Sequence, residues 1–340
     1  MNIADNERLD ITIRQSERKP KFILYRELDA ESRKIWLVKN LLGASDASAF
    51  YGVPGCGKSV LVEDMALHIA SGREWHGRPV TRGAVLYVAL ERKMLVQRRA
   101  IAFRIKHQIF DVPFAIAGGM LDLRSSNGAE LLVETVRQVE AETGEVVVLV
   151  VIDTLSRALS GGDENSPKDM GAIVAATSRL QASTKAHVLW VHHMPQDGAE
   201  RLRGHGALLG AMDTTIRVEK LTDDHRTATV VKANDSEEGE RVTFTFETVE
   251  IGPETTAPVV RPADLPEAGP KQSRLSKNQQ TMFSLLRAAM PIGLTTEEWN
   301  EQARAVEIGT KRKADLYDIR EQLKSKRLIH QTNNRWNVSV

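Results

Sequence analysis

Ser48-Ala49-Phe50-Tyr51-Gly52-Val53-Pro54-Gly55-Cys56-Gly57-Lys58-Ser59-Val60-Leu61 is the stretch on which the reading of this chain turns. Its first four residues read as a short buried strand. The next eight, Gly52 to Ser59, satisfy the pattern G-x-x-x-x-G-K-[ST] at every fixed position. Glycines at these spacings let successive backbone N–H groups curl around a phosphate without Cβ clashes. A lysine after the last glycine can reach the outer phosphates, and the following hydroxyl can ligate Mg²⁺. From Ser59 to Ala70 apolar residues recur at Leu61, Met65, Leu67, Ile69 and Ala70, which predicts an amphipathic helix. Its N-terminus would add its dipole to the phosphate site. The expected contacts to ATP run through Gly52, Val53, Pro54, Gly55, Cys56, Gly57, Lys58, Ser59 and Val60, with Ser59 on the metal.

The pattern around this stretch repeats strand and helix. Ala84–Leu90 and Val146–Ile152 are apolar runs of strand length, the second rich in β-branched residues. His187–His192 is a third such run, and helical patterns over Met94–His107 and Lys168–Lys185 separate them. Buried strands alternating with helices predict an α/β domain built on a doubly wound, mostly parallel sheet. Thr214–Glu219, Arg226–Ala233 and Arg241–Glu247 alternate strictly instead, which predicts antiparallel strands extending one edge. Gly252–Lys271 holds five of the twelve prolines and reads as a linker. Beyond it come three helical segments, the second opened by a capping box at Thr295–Glu298, and then a hairpin over Arg327–Val338. That order predicts a small C-terminal winged helix-turn-helix domain. The expected organisation is an arm over 1–35, a nucleotide-binding core over 36–250, a linker over 251–272 and the small domain over 273–340.

Strand ends in such a sheet meet at one edge, where ligands bind. Asp153 closes the run Val146–Ile152 and is the expected Mg²⁺ carboxylate; it could otherwise cap the turn at Thr154. Glu91 follows Ala84–Leu90 and can act as the base for hydrolysis or pair with Arg92 or Lys93. His192 and His193 end the next strand, where alternation lets only one face the phosphates. Arg201 and Arg203 lie in a loop rich in glycine and charge, either solvated or presented to a neighbouring subunit's nucleotide.

Composition narrows the class further. The chain of 340 residues carries 46 Lys plus Arg against 45 Asp plus Glu. Residues 271–340 hold 13 basic and 7 acidic side chains, against 33 and 38 in the rest. A basic tail domain on a mildly acidic body suits nucleic-acid contact, and is also common drift in small domains. Cys56 is the only cysteine, so no intrachain disulfide can form. No apolar run has the length of a bilayer span, and the polar N-terminus is no secretion signal. The expected setting is cytoplasmic, with no membrane partner.

Several stretches taken in order carry a family likeness: FYGVPGCGKSVL (50–61), GREWHGRPVTRGAVLYVALER (72–92), VVVLVVIDTLSRAL (146–159), ENSPKDMGAIV (164–174) and VLWVHHMPQDGAERLRGHGALLGAMDT (188–214). They resemble the RecA-like P-loop ATPases of phages and plasmids, close to the RepA-type hexameric replicative helicases and more distantly DnaB and RecA. The resemblance covers residues 36 to 220. It implies Glu91 as catalytic base, Asp153 as the Walker B aspartate, His193 as the γ-phosphate sensor and Arg203 as an arginine finger acting between subunits. It also implies ATP with Mg²⁺, a homo-oligomeric, hexameric ring, and single-stranded DNA held by loops at Ser156–Lys168 and Met194–Gly206. The first of these loops departs from the pattern, since SRALSGGDENSPK has two acidic residues and few basic ones. A replicative DNA helicase is the expectation. A RecA- or KaiC-like ATPase that assembles without unwinding, or a nucleotide-gated DNA-binding regulator, are the alternatives.

Overall fold

A computed structural model describes residues 22–27, 33–193, 205–265, 275–309, 313–326, 328–332 and 334–339. A short antiparallel pair, β1 (Trp36–Val38) and β2 (Leu42–Gly43), precedes the main sheet. β3 (Ala47–Gly52) then runs into the glycine-rich loop and α1 (Lys58–Ser71) leaves it. There follow β4 (Ala84–Ala89), α2 (Lys93–His107), β5 (Phe114–Ala117), α3 (Ser126–Thr143), β6 (Val147–Asp153) and the one-turn α4 (Leu155–Ala158). α5 (Pro167–Thr184), β7 (His187–His193), α6 (His205–Ala211) and β8 (Thr214–Lys220) complete the alternating part. β9 (Arg226–Ala233), β10 (Arg241–Gly252) and β11 (Thr255–Pro262) come after it.

These strands make one nine-stranded sheet in the order β11-β10-β9-β8-β3-β7-β6-β4-β5. The six strands from β8 to β5 are parallel to their neighbours, and β9, β10 and β11 are added antiparallel. This is the mixed α/β architecture with antiparallel edge strands that the sequence predicts, with one correction: β8, expected among the antiparallel strands, runs parallel to β3, and only its pairing with β9 is antiparallel. All six residues of β3 and of β4 are buried, as strands covered on both faces must be. The period of two sorts their side chains between two cores. Phe50, Tyr87, Val151 and Leu189 meet Leu61 and Met65 of α1 on one face. Ala49, Leu86, Ile152 and Trp190 meet Leu132 of α3 and Ile173 of α5 on the other. Helix starts are set locally: Ser125 accepts from the Gly128 N–H, and Ser166 accepts from the Asp169 N–H with Pro167 in the first helical position.

The expected boundary at 250 and the linker from 251 need correction. Residues 255–262 form the edge strand β11, paired with β10 from Phe244↔Pro262 to Gly252↔Thr255. Pro258 and Pro262 fit here because β11 has a neighbour on one side only, so an absent N–H need not break a ladder. Ala257 and Val259 pack on Ala102 of α2, which closes the sheet edge over that helix. β5 and α3, between 108 and 144, lie where the sequence reading assigned no element.

The chain divides into two compact units, up to Asp264 and from Leu265 onward. The second comprises α7 (Lys277–Ala288), α8 (Thr296–Ala305), α9 (Lys313–Ser325) and the antiparallel pair β12 (Ile329–Thr332) and β13 (Arg335–Val338). It has its own core of Met282, Leu286, Trp299, Ile319, Leu323 and Trp336. α8 starts on the expected capping box: Glu298 N–H donates to Thr295 Oγ1 at 3.2 Å, and Thr295 N–H donates to the Glu298 carboxylate at 2.8 Å. Among the described residues no helix is long and apolar enough to cross a membrane.

The role of β11 is open to a direct check. A chain ending after Asp264 should melt as the larger unit of the full protein does. One ending after Glu250 should melt at lower temperature or aggregate, since it bares the β10 edge and the α2 contact. Equal melting curves for the two would show that β11 contributes nothing.

Candidate functional site: a phosphate-binding cleft

The parallel strands deliver their C-terminal ends to one edge, and there Glu91, Asp153 and His193 gather around the loop Gly52–Ser59. The cleft at this edge has a volume of about 650 Å³. Its wall includes Gly55, Gly57, Lys58, Ser59, Glu91 and His193.

The loop's shape depends on its glycines. Gly57, at φ 100°, occupies a region that side chains strain to adopt. A Cβ there would also lie 2.7 Å from the Phe246 ring and 3.1 Å from Arg226 Cδ. Gly52, at φ 157°, is pressed against β8, and a Cβ would come within 2.2 Å of the Val218 carbonyl oxygen. Lys58 is almost wholly buried and its Nζ donates to the Gly52 and Val53 carbonyl oxygens at 2.8 and 2.9 Å. Burial pushes its pKa down, with Cys56 and Asp153 opposing. Cys56 is buried beside it, with Sγ 3.7 Å from Nζ.

Asp153, the last residue of β6, is 7% exposed. Its Oδ2 accepts from the Tyr87 hydroxyl of β4 at 2.7 Å, and its carboxylate also hydrogen-bonds Ser59. Burial raises its pKa, while the bonds from Tyr87 and Ser59 pull it back. The hydroxyl and the carboxylate expected on Mg²⁺ are therefore adjacent, although they come from separate elements. The glycine cradle and this oxygen pair fit a nucleotide phosphate with its Mg²⁺.

Glu91 lies two residues beyond β4, with one carboxylate oxygen 3.9 Å from His193 Nε2 and the other 3.7 Å from Arg92 Nε. Both readings of Glu91 thus have a geometric basis. His193 is the histidine that lines the cleft, whereas His192 is 1% exposed within the sheet. Burial lowers the His193 pKa, and Lys58 lowers it further, so the ring is neutral at neutral pH. Arg201 and Arg203 lie outside the described residues, as does most of the second expected DNA loop. The first expected DNA loop begins as α4, and its Ser156 and Arg157 line this cleft.

The fold brings in residues that the sequence reading missed. Arg99 of α2 lines the cleft and is tied to buried Glu63 of α1 at 3.2 Å. Its signal was available: it stands seven residues after Arg92, two helical turns on the same side. With Lys58, Arg92 and Arg157 it gives the wall a positive lining suited to a polyphosphate. Phe246 of β10 and Arg226 of β9 are the other addition, with the guanidinium 4.2 Å from the ring centroid. No local pattern marks them, because strand pairing alone carries them to the loop.

A family model, the AAA domain AAA_25, matches residues 14–199, more than half of the chain. The chain belongs to this AAA domain family. It is a P-loop ATPase domain, a kind that binds nucleotide, typically with Mg²⁺. No curated protein matches the sequence significantly. The family match ends at residue 199, so β8 to β11 of this AAA protein, which supply Phe246 and Arg226, lie beyond it.

Gly57→Ala should weaken ATP binding about tenfold or more, since left-handed strain and the Phe246 collision together cost at least ~1–2 kcal/mol. Gly55→Ala pays the strain only, as nothing lies within 4 Å of its would-be Cβ, and should lose less. Calorimetric titration of both variants checks this. Equal losses would show that Phe246 does not constrain the loop.

Proposed function

We propose that this AAA protein is an ATP-hydrolysing motor on single-stranded DNA, a helicase similar to the RepA type that works as a ring. The observation that carries the reading is Glu91, a carboxylate lining the cleft beside His193, just past the strand next to that of Asp153. A protein that only binds nucleotide has no need of a base there. Lys58 and the backbone N–H groups of the loop would hold the phosphates, and Ser59 with Asp153 would hold Mg²⁺, which supplies charge neutralisation at the phosphates. Glu91 would take the proton of the attacking water. His193, neutral and within reach of Glu91, would report whether the terminal phosphate is present. Val60 and Phe246, apolar groups on the cleft wall, offer a surface to the base.

Arg203 would act as a finger across the subunit interface, which makes turnover a property of the ring. The C-terminal unit, read as a winged helix with a net basic charge, would contribute to DNA contact. That same basic unit supports the second reading, a nucleotide-gated regulator that binds one duplex site.

The decisive measurement is ATP turnover with and without single-stranded DNA, with Glu91→Gln as control. The motor reading expects strong stimulation that weakens with added salt and disappears in Glu91→Gln while ATP binding persists. Turnover indifferent to DNA, with tight binding to one duplex sequence, would replace the motor by the regulator. Subunit mixing checks the finger: Arg203→Ala and Glu91→Gln, each inactive alone, should regain activity when combined. Absence of rescue removes Arg203 from that role.

A further inference from the structure

Farther along α1, Asp64 and His68 stand four residues apart and therefore share a face of the helix. That face meets the end of α2, where His107 is the last residue. Ligand-capable atoms of Asp64, His68 and His107 all lie within 4.8 Å of one another. The carboxylate is 6% exposed, and only one of its oxygens is used: Trp75 Nε1 donates to Oδ2 at 3.0 Å. Oδ1 is buried with no hydrogen-bond partner, and so is Nε2 of His107. Two buried polar atoms without partners in one such cluster are costly and ask for an explanation. A cation placed between them would satisfy both.

His68 is already set for such a role. Its Nδ1 is 2.8 Å from the Asp64 carbonyl oxygen. That oxygen can only accept, so Nδ1 carries the proton and Nε2 keeps its lone pair. Trp75 on the carboxylate and this carbonyl on the imidazole are the kind of outer contacts that orient metal ligands. Phe103 packs against both rings, with centroids 5.1 Å from His68 and 4.2 Å from His107, and the two imidazoles themselves meet edge-on at 5.5 Å. His68 and His107 are each partly exposed, which leaves a path for an ion and room for a solvent ligand. Of the cations nearby, Lys106 is engaged by Glu247 at 2.6 Å, and Arg73 is the remaining charge close enough to act on both histidines.

We propose that Asp64, His68 and His107 form a binding site for one divalent transition ion of the zinc type, separate from the Ser59–Asp153 pair. Two imidazoles and one carboxylate suit Zn²⁺ with an open fourth position, whereas Mg²⁺ prefers an all-oxygen shell. The bound ion joins α1, which issues from the phosphate loop, to α2, which carries Arg99 into the cleft. It is a clamp on one wall of the nucleotide site, and its existence does not depend on what the motor acts upon.

The test uses the full chain, stripped with chelator and free of nucleotide, titrated with Co²⁺ and then with Zn²⁺. The expected result is one ion per chain, a Co²⁺ visible spectrum of a four-coordinate nitrogen and oxygen site, and a rise in melting temperature with Zn²⁺. His107→Ala should weaken binding about tenfold or more and lose the melting shift, while Asp153→Asn keeps both. Should His107→Ala fail to fold, His107→Gln, which preserves bulk, serves in its place. Absence of stoichiometric binding overturns the proposal. So does binding unchanged in the His107 variant, or a thiolate charge-transfer band that places the ion on Cys56.

Discussion

The structure of the cleft hangs on one buried carboxylate. Asp153 ends the parallel strand β6 and accepts hydrogen bonds from Tyr87 on β4 and from Ser59 on α1. A carboxylate this buried is expensive unless its oxygens are occupied. Here the occupants belong to the neighbouring strand and to the first turn of the helix leaving the phosphate loop. The same contacts that offset the burial therefore fix the helix against the sheet. They also set the distance between the two oxygens suited to Mg²⁺. Replacing any of the three would be felt at the others, so stability and site geometry cannot be tuned independently here.

Around this anchor the parallel sheet does the positioning. Because β3, β4, β6 and β7 run the same way, the residues that follow each of them arrive at one edge without any local instruction to do so. Glu91 and His193 are 102 positions apart in the numbering of this chain and meet at 3.9 Å. Arg99, reached through α2, adds positive charge to the lining of the same cleft.

Much of this was legible in the sequence, for physical reasons that differ between elements. The eight-residue glycine pattern and the apolar runs at 84–90 and 146–152 declare themselves, since steric demand at Gly57 and burial on both strand faces restrict residue choice severely. β11 was not legible as a strand: Pro258 and Pro262 signal a break unless one knows that the segment is an edge. β5 was hidden by its length: Pro113 and Gly118-Gly119 bracket it, but four half-buried residues are too few to show a period. At the site, Lys58, Ser59 and Asp153 could be named from motif and strand end. Phe246 and Arg226 could not, because their nearness to Gly57 depends on the register of β9 against β10, which no local spacing encodes.

The contact between Phe246 and Gly57 has a bearing on how such proteins diversify. The signature that identifies the family ends before β8, yet a wall of the nucleotide cleft is made by the strands after it. Exchange of sequence between relatives at the end of the signature would keep every motif residue and replace the surface that presses on the loop. The natural module for recombination is therefore the sheet through β11, and a hybrid joined earlier inherits its phosphate grip from one parent and the buttress behind it from another.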